Sequence, residues 1–146
     1  MTFADVLFKP HGQHRPSKDV VMLSLGSFFE THLEAFTERQ AVPFVCAHKG
    51  VSIYGEYCLA TPSRGCVIMA HGYGQNRYIL LPQEHLFRTM GFTTVMFDQR
   101  GFGESRESFS SFGVFEARDV LALIQWAKGT FGQATPIILF GVSMGA

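Results

Sequence analysis

Three stretches are apolar almost without interruption: 66–70 (CVIMA), 92–97 (FTTVMF) and 137–140 (IILF). Runs this short, without a polar face, predict strands buried on both sides, as in a parallel sheet. A different pattern covers 43–47 and 51–60. There Val51, Ile53, Tyr57 and Leu59 alternate with Ser52, Tyr54, Glu56 and Cys58. Alternation predicts an antiparallel hairpin with one wetter face, turning at His48-Lys49-Gly50. Helical periodicity appears three times. Over 18–39 the residues Val21, Leu25, Phe28, Phe29, Leu33 and Phe36 recur at three- and four-residue spacing, after a loop at 9–17. A second helix is expected over 82–90, with Pro82 in its first turn and Gly91 as its stop. A third is expected over 114–128, with Ala117, Val120, Leu121, Ile124 and Ala127 on one stripe and Gly129 ending it.

Buried strands alternating with amphipathic helices define an α/β fold with a mostly parallel sheet, flanking helices and right-handed crossovers. Two regions follow: 1–40, a loop and an amphipathic helix, and 41–146, the α/β part. The Phe-rich face of the first helix suits packing on the body of the domain. Its two flanking cations, Lys18 and Arg39, are too few for a lipid-binding face.

Composition narrows the function classes. Twelve basic residues balance twelve acidic ones, which points to neither nucleic acid nor an anionic membrane as partner. Hydrophobic residues make up 47% of the 146, enough for a sizeable core. Cys46, Cys58 and Cys66 are odd in number and lack metal-ligand spacing, so reduced, buried thiols are expected. The histidines form no H-x-x-x-H pair, and neither a metal nor a cofactor is expected. No stretch is long and apolar enough to cross a bilayer, and no secretory leader is visible, so the expected location is cytoplasmic.

Candidate chemistry sits where the predicted strands end. The strand at 137–140 runs into Gly141-Val142-Ser143-Met144-Gly145, a G-x-S-x-G pattern. A serine there sits on a sharp, strained turn, exposed to substrate, and the flanking glycines prevent side-chain collisions. A plain strand-to-helix turn also accommodates five such residues. The strand at 66–70 ends in His71-Gly72-Tyr73-Gly74, and that at 92–97 in Asp98-Gln99-Arg100-Gly101-Phe102-Gly103-Glu104-Ser105. A dinucleotide fold is the competing class. Its fingerprint fails at the third glycine, and no G-x-x-x-x-G-K-[ST] occurs.

Together, in this order, the three motifs resemble those of the α/β-hydrolase superfamily, in its bacterial esterase, lysophospholipase and S33/S9-peptidase-like branch. The resemblance covers about 42–146. It implies that Ser143 is the nucleophile, attacking an ester, thioester or amide carbonyl of a small acyl substrate. It implies an oxyanion hole from the backbone N–H groups of Tyr73 and Met144, aided by the dipole of a helix beginning at Met144. It implies that His71 and Gly72 shape the oxyanion loop, that Asp98 and Arg100 brace theirs, and that Gly141 and Gly145 shape the serine turn. Tyr73 and Phe102 suit either an acyl pocket or packing. The family's order places an acidic residue and then a histidine after the serine. Both are absent by Ala146, so the expectation is a truncated hydrolase, inactive and poorly stable alone, with the strand at 137–140 left as an exposed apolar edge. A downstream polypeptide would complete it. The alternative is a non-catalytic α/β module, or a gene remnant, that needs a partner chain.

Overall fold

The computed structural model describes Gly26, Phe36 and residues 38–146. The helix expected over 18–39 lies almost wholly outside the described residues. Five strands form one sheet: β1 (Val42–His48), β2 (Val51–Cys58), β3 (Cys66–Ala70), β4 (Thr93–Phe97) and β5 (Ile137–Gly141). Their order is β1-β2-β4-β3-β5. The hairpin β1–β2 is antiparallel and turns at Lys49-Gly50, both at positive φ, 46° and 78°. β2 meets β4 antiparallel, whereas β3 runs parallel to both β4 and β5, so the sheet is mixed.

Helices cover both faces, and the two-residue period of the strands divides the core between them. Cys66, Ile68 and Ala70 of β3, with Val95 and Phe97 of β4, pack against Ala122, Leu123 and Ala127 of α2 (Glu116–Phe131). Val67, Met69 and Met96 point the other way, toward Leu80 and Leu81 at the start of α1 (Leu81–Thr89). Pro82 lies in the first turn of α1, and Gly91, at φ 82°, follows its end. All three cysteines are free and buried.

Three expectations change. α2 runs through Gly129 and stops at Gly132, whose φ of 113° suits only glycine. The buried stripe of α2 is also rotated: Glu116, Asp119, Ala122, Leu123 and Ala127 are buried, while Ala117 and Leu121 are exposed. The rotation brings the two carboxylates to loop partners near the strand ends. Finally, β5 is not buried on both faces. Ile138 is 38% and Leu139 56% exposed, because β5 has a single strand neighbour among the described residues.

Candidate active site

Register brings the three motifs together. Ala70 of β3 pairs with Phe97 of β4 on one side and with Gly141 of β5 on the other. The three parallel strands therefore end level, and His71, Asp98 and Val142 leave the sheet side by side. A cleft outside the carboxyl ends of parallel strands is where open α/β sheets place their chemistry.

The serine turn is tightly constrained. Val142 remains extended at φ −122°, its N–H donating to Ala70 O at 3.1 Å. Ser143 then enters the left-handed region at φ 54° and is solvent-exposed. A single 3-10 turn follows, with Gly145 N–H on Val142 O at 2.9 Å. The glycines are steric necessities. A Cβ on Gly141 would lie 2.0 Å from Gly145 O, and one on Gly145 would lie 2.4 Å from Ala70 O. Gly72 closes on the serine from the neighbouring loop, where a Cβ would stand 3.4 Å from Ser143 Cβ. The described chain at Met144 is that 3-10 turn.

His71 is fully buried, and both ring nitrogens are engaged. Nδ1 lies 2.7 Å from Gly72 O, and Nε2 lies 3.0 Å from the backbone nitrogen of Gln99. A carbonyl only accepts and an N–H only donates, so Nδ1 carries the proton and Nε2 is the acceptor. Burial pushes the His71 pKa down, against opposing pulls from the Gly72 carbonyl and Asp98, which keeps the ring neutral. No nitrogen of His71 remains to take a proton from Ser143. Gln99 also donates a side-chain N–H to His71 O. Phe102 is buried and stands edge-on to His71 and Tyr73, with centroids at 5.7 and 5.2 Å. It packs; it does not face solvent. Tyr73 is 39% exposed and stacks on Phe112 at 5.1 Å.

Asp98 and Arg100 do not pair with each other. Asp98 accepts from the backbone N–H of Arg77 at 2.8 Å and of Glu104 at 2.9 Å, and from the Arg77 guanidinium. Arg77 also meets Glu104 at 2.6 Å and Glu56 at 3.6 Å. Burial alone would lower its pKa, but these carboxylates hold it charged and raise it. Arg100 forks onto both oxygens of Asp119 at 2.6 Å. Glu116 accepts from Ser110 Oγ at 3.1 Å and from the N–H groups of Ser111 at 2.7 Å and Gly113 at 2.9 Å. Ser110 Oγ also lies 3.6 Å from Met144 Sδ, tying this loop to the serine turn.

Arg77, Gln99, Glu116 and Asp119 are the residues that sequence reasoning missed. For two of them a signal existed. Glu116 and Asp119 fall at helical spacing ahead of the buried positions 123 and 127, so polar groups on a core-facing stripe called for partners. Nothing local distinguishes Arg77 or Gln99 from an ordinary loop residue.

No other described histidine reaches the serine. His48 ends β1, four strands from β5, which is about 19 Å at ordinary strand spacing. His85 lies on α1, its ring 6.0 Å from that of Phe36. Cys58 and Cys66 are pushed up to about 12, mainly by burial, and so are poor nucleophiles. Among the described residues no group of histidine, cysteine and carboxylate side chains is placed to hold a metal ion, and no helix is long and apolar enough to cross a membrane.

Comparison with known proteins gives a consistent result. The family model described as serine aminopeptidase, S33, matches residues 61–146. The uncharacterized protein YqkD of Bacillus subtilis is 27% identical over 114 residues, covering 77% of this chain and 37% of YqkD. Among solved structures, an esterase of Pyrococcus furiosus superposes with a TM-score of 0.69 at 23% identity, over 76% of this chain and 46% of the esterase. An alpha-beta serine hydrolase homologue from Coxiella burnetii gives 0.61 at 20% identity, over 71% of this chain and 52% of that one. The chain thus spans less than half the length of YqkD and of the esterase. The two structures are alike in fold: the described sheet and its helices match part of an α/β hydrolase.

Proposed function

Because the chain belongs to the serine aminopeptidase S33 family of α/β hydrolases, we propose that it carries the nucleophile and the oxyanion loop of a serine hydrolase acting on an ester, thioester or amide. The observation that carries this reading is Ser143 itself: an exposed serine at φ 54° on a turn that tolerates only glycine at Gly141 and Gly145. A left-handed non-glycine residue costs of order 1–3 kcal/mol and persists where its surroundings enforce it, typically at functional sites.

In the proposed reaction Ser143 Oγ bonds to the substrate carbonyl carbon while its proton passes to a base. The carbonyl oxygen becomes an oxyanion held by the N–H groups of Tyr73 and Met144. The intermediate collapses with loss of the alcohol, thiol or amine, which takes the proton from the base. Water then attacks the acyl-enzyme and releases the acid and free Ser143. His71 is not the base, since both its nitrogens are committed. We assign the base and its acidic partner to polypeptide outside these 146 residues. Without a base Ser143 keeps its proton and is a weak nucleophile.

The test is hydrolysis of p-nitrophenyl butyrate by the chain co-expressed with the polypeptide encoded after it. The expected result is turnover that Ser143→Ala abolishes and that the chain alone lacks. Turnover that survives Ser143→Ala overturns the assignment. A complex that folds but never turns over this ester, nor thioester or amide analogues, favours a non-catalytic module.

A further inference from the structure

Gln99 is the residue at which the three motif loops meet, and nothing in the mechanism above uses it. It is 3% exposed. Its backbone N–H donates to His71 Nε2 at 3.0 Å, and its side-chain amide donates to His71 O. That same carbonyl borders the serine turn, since a Cβ on Gly145 would lie 2.8 Å from it. One residue of the Asp98 loop therefore grips His71 at two points, against the turn that carries Ser143.

The grip has a consequence one peptide further on. His71 Nδ1–H donates to Gly72 O at 2.7 Å. In a trans peptide the C=O and the following N–H point in opposite directions. Fixing Gly72 O toward the imidazole therefore fixes the N–H of Tyr73 away from it. Rotation of this peptide unit would break the His71 bond and leave a buried ring nitrogen without its partner, which is unfavourable. The acceptor role of Nε2 sets which nitrogen carries the proton, and that acceptor role is imposed by Gln99.

We propose that Gln99 is a positioning residue that, through His71, aims the Tyr73 N–H as an oxyanion donor. This rests on the reading of Tyr73 as that donor. A side-chain amide on this loop supplies what its backbone alone lacks, a donor for the carbonyl of residue 71. Removal of that donor leaves the His71 peptide free to tilt, while the fold, braced separately by Asp98 with Arg77 and by Arg100 with Asp119, stays intact.

The experiment compares wild type with Gln99→Met, which keeps length and apolar volume, and with Gln99→Glu, which sets a carboxylate against the His71 carbonyl. Long-range ¹⁵N–¹H correlation spectra of the wild type are expected to show His71 as a single Nδ1–H tautomer and one slowly exchanging Gln99 amide proton. In Gln99→Met the His71 ring and Tyr73 amide resonances should move while the amide resonances of the sheet stay in place, the melting temperature falling only by the few degrees that one lost buried hydrogen bond costs. In the preparation used to test the nucleophile, phosphonylation of Ser143 by a fluorophosphonate should slow by about tenfold, the effect of one neutral hydrogen bond. Gln99→Glu should slow it further. Wild-type spectra with a mixed or Nε2–H tautomer overturn the proposal, as do unchanged Tyr73 resonances or an unchanged rate in Gln99→Met. If wild-type Ser143 is never phosphonylated, the hydrolase reading fails by itself, and the spectra still decide whether Gln99 aims the loop.

Discussion

Ser143 keeps a left-handed backbone because the atoms around it leave no alternative. The turn closes only if Gly145 lies against Ala70 O and Gly141 against Gly145 O, closer than any Cβ allows. Gly145→Ala should therefore be destabilising by about 1–3 kcal/mol or more, the range for forced overpacking. Urea unfolding of the variant checks this; a midpoint equal to wild type would mean that the turn is looser than described. These glycines were legible in the sequence, because the spacing G-x-S-x-G states a steric rule. The surroundings of His71 were legible only in part, and the contacts of Gln99 not at all. A histidine before a glycine signals a loop, but which nitrogen holds the proton depends on a backbone N–H 28 residues away. Asp98 and Arg100 were expected as braces; Asp98 accepts from Arg77 and Glu104, and Arg100 donates to Asp119. Their partners, Arg77 and Asp119, depend on tertiary packing that no local pattern encodes.

At the scale of elements, α2 shows where periodicity misleads. The pattern ended the helix at Gly129, yet the helix continues three residues to Gly132, since a lone glycine weakens a helix without breaking it. A Cβ on Gly129 meets nothing within 4 Å. Gly129→Ala should thus stabilise the protein by about 0.5–1 kcal/mol, through propensity and the unfolded state. A calorimetric melting temperature that falls in this variant would contradict the described helix end. The start of α2 carries a pH dependence. Burial would raise the Glu116 carboxyl, but its hydrogen bonds from Ser111 and Gly113 outweigh burial and hold it below its ordinary value of 4.5. A carboxylate depressed in the folded state contributes stability that is present above its unfolded pKa and lost as pH falls through the folded value. Denaturation between pH 6 and 3 should therefore show a steeper acid-side loss in wild type than in Glu116→Gln, with the variant less stable at pH 6. Parallel curves for the two would remove this role from Glu116.

Over the whole molecule, the order of elements and the parallel pairing of β3, β4 and β5 were readable from continuous apolar runs separated by helical stretches. Exposure of β5 was expected from the family resemblance alone, because an apolar run reports what a strand prefers to touch and not whether a neighbour is present. Leu139 lines one cleft with Leu121 of α2, itself 60% exposed, and Ile138 lies open on the opposite face of the strand. An apolar strand edge of this kind promotes self-association. The 146-residue chain purified alone should elute larger than a monomer, and Leu139→Lys should shift it toward the monomer; light scattering that shows a wild-type monomer would contradict this. The central claim is that Ser143 is a nucleophile once a base is supplied. Incubating the co-expressed complex with a fluorophosphonate and locating the adduct by peptide mass spectrometry tests it most directly. One adduct on Ser143, absent from the chain alone and from Ser143→Ala, is the predicted result. A folded complex that acquires no adduct at Ser143, or acquires it on another residue, would contradict the account.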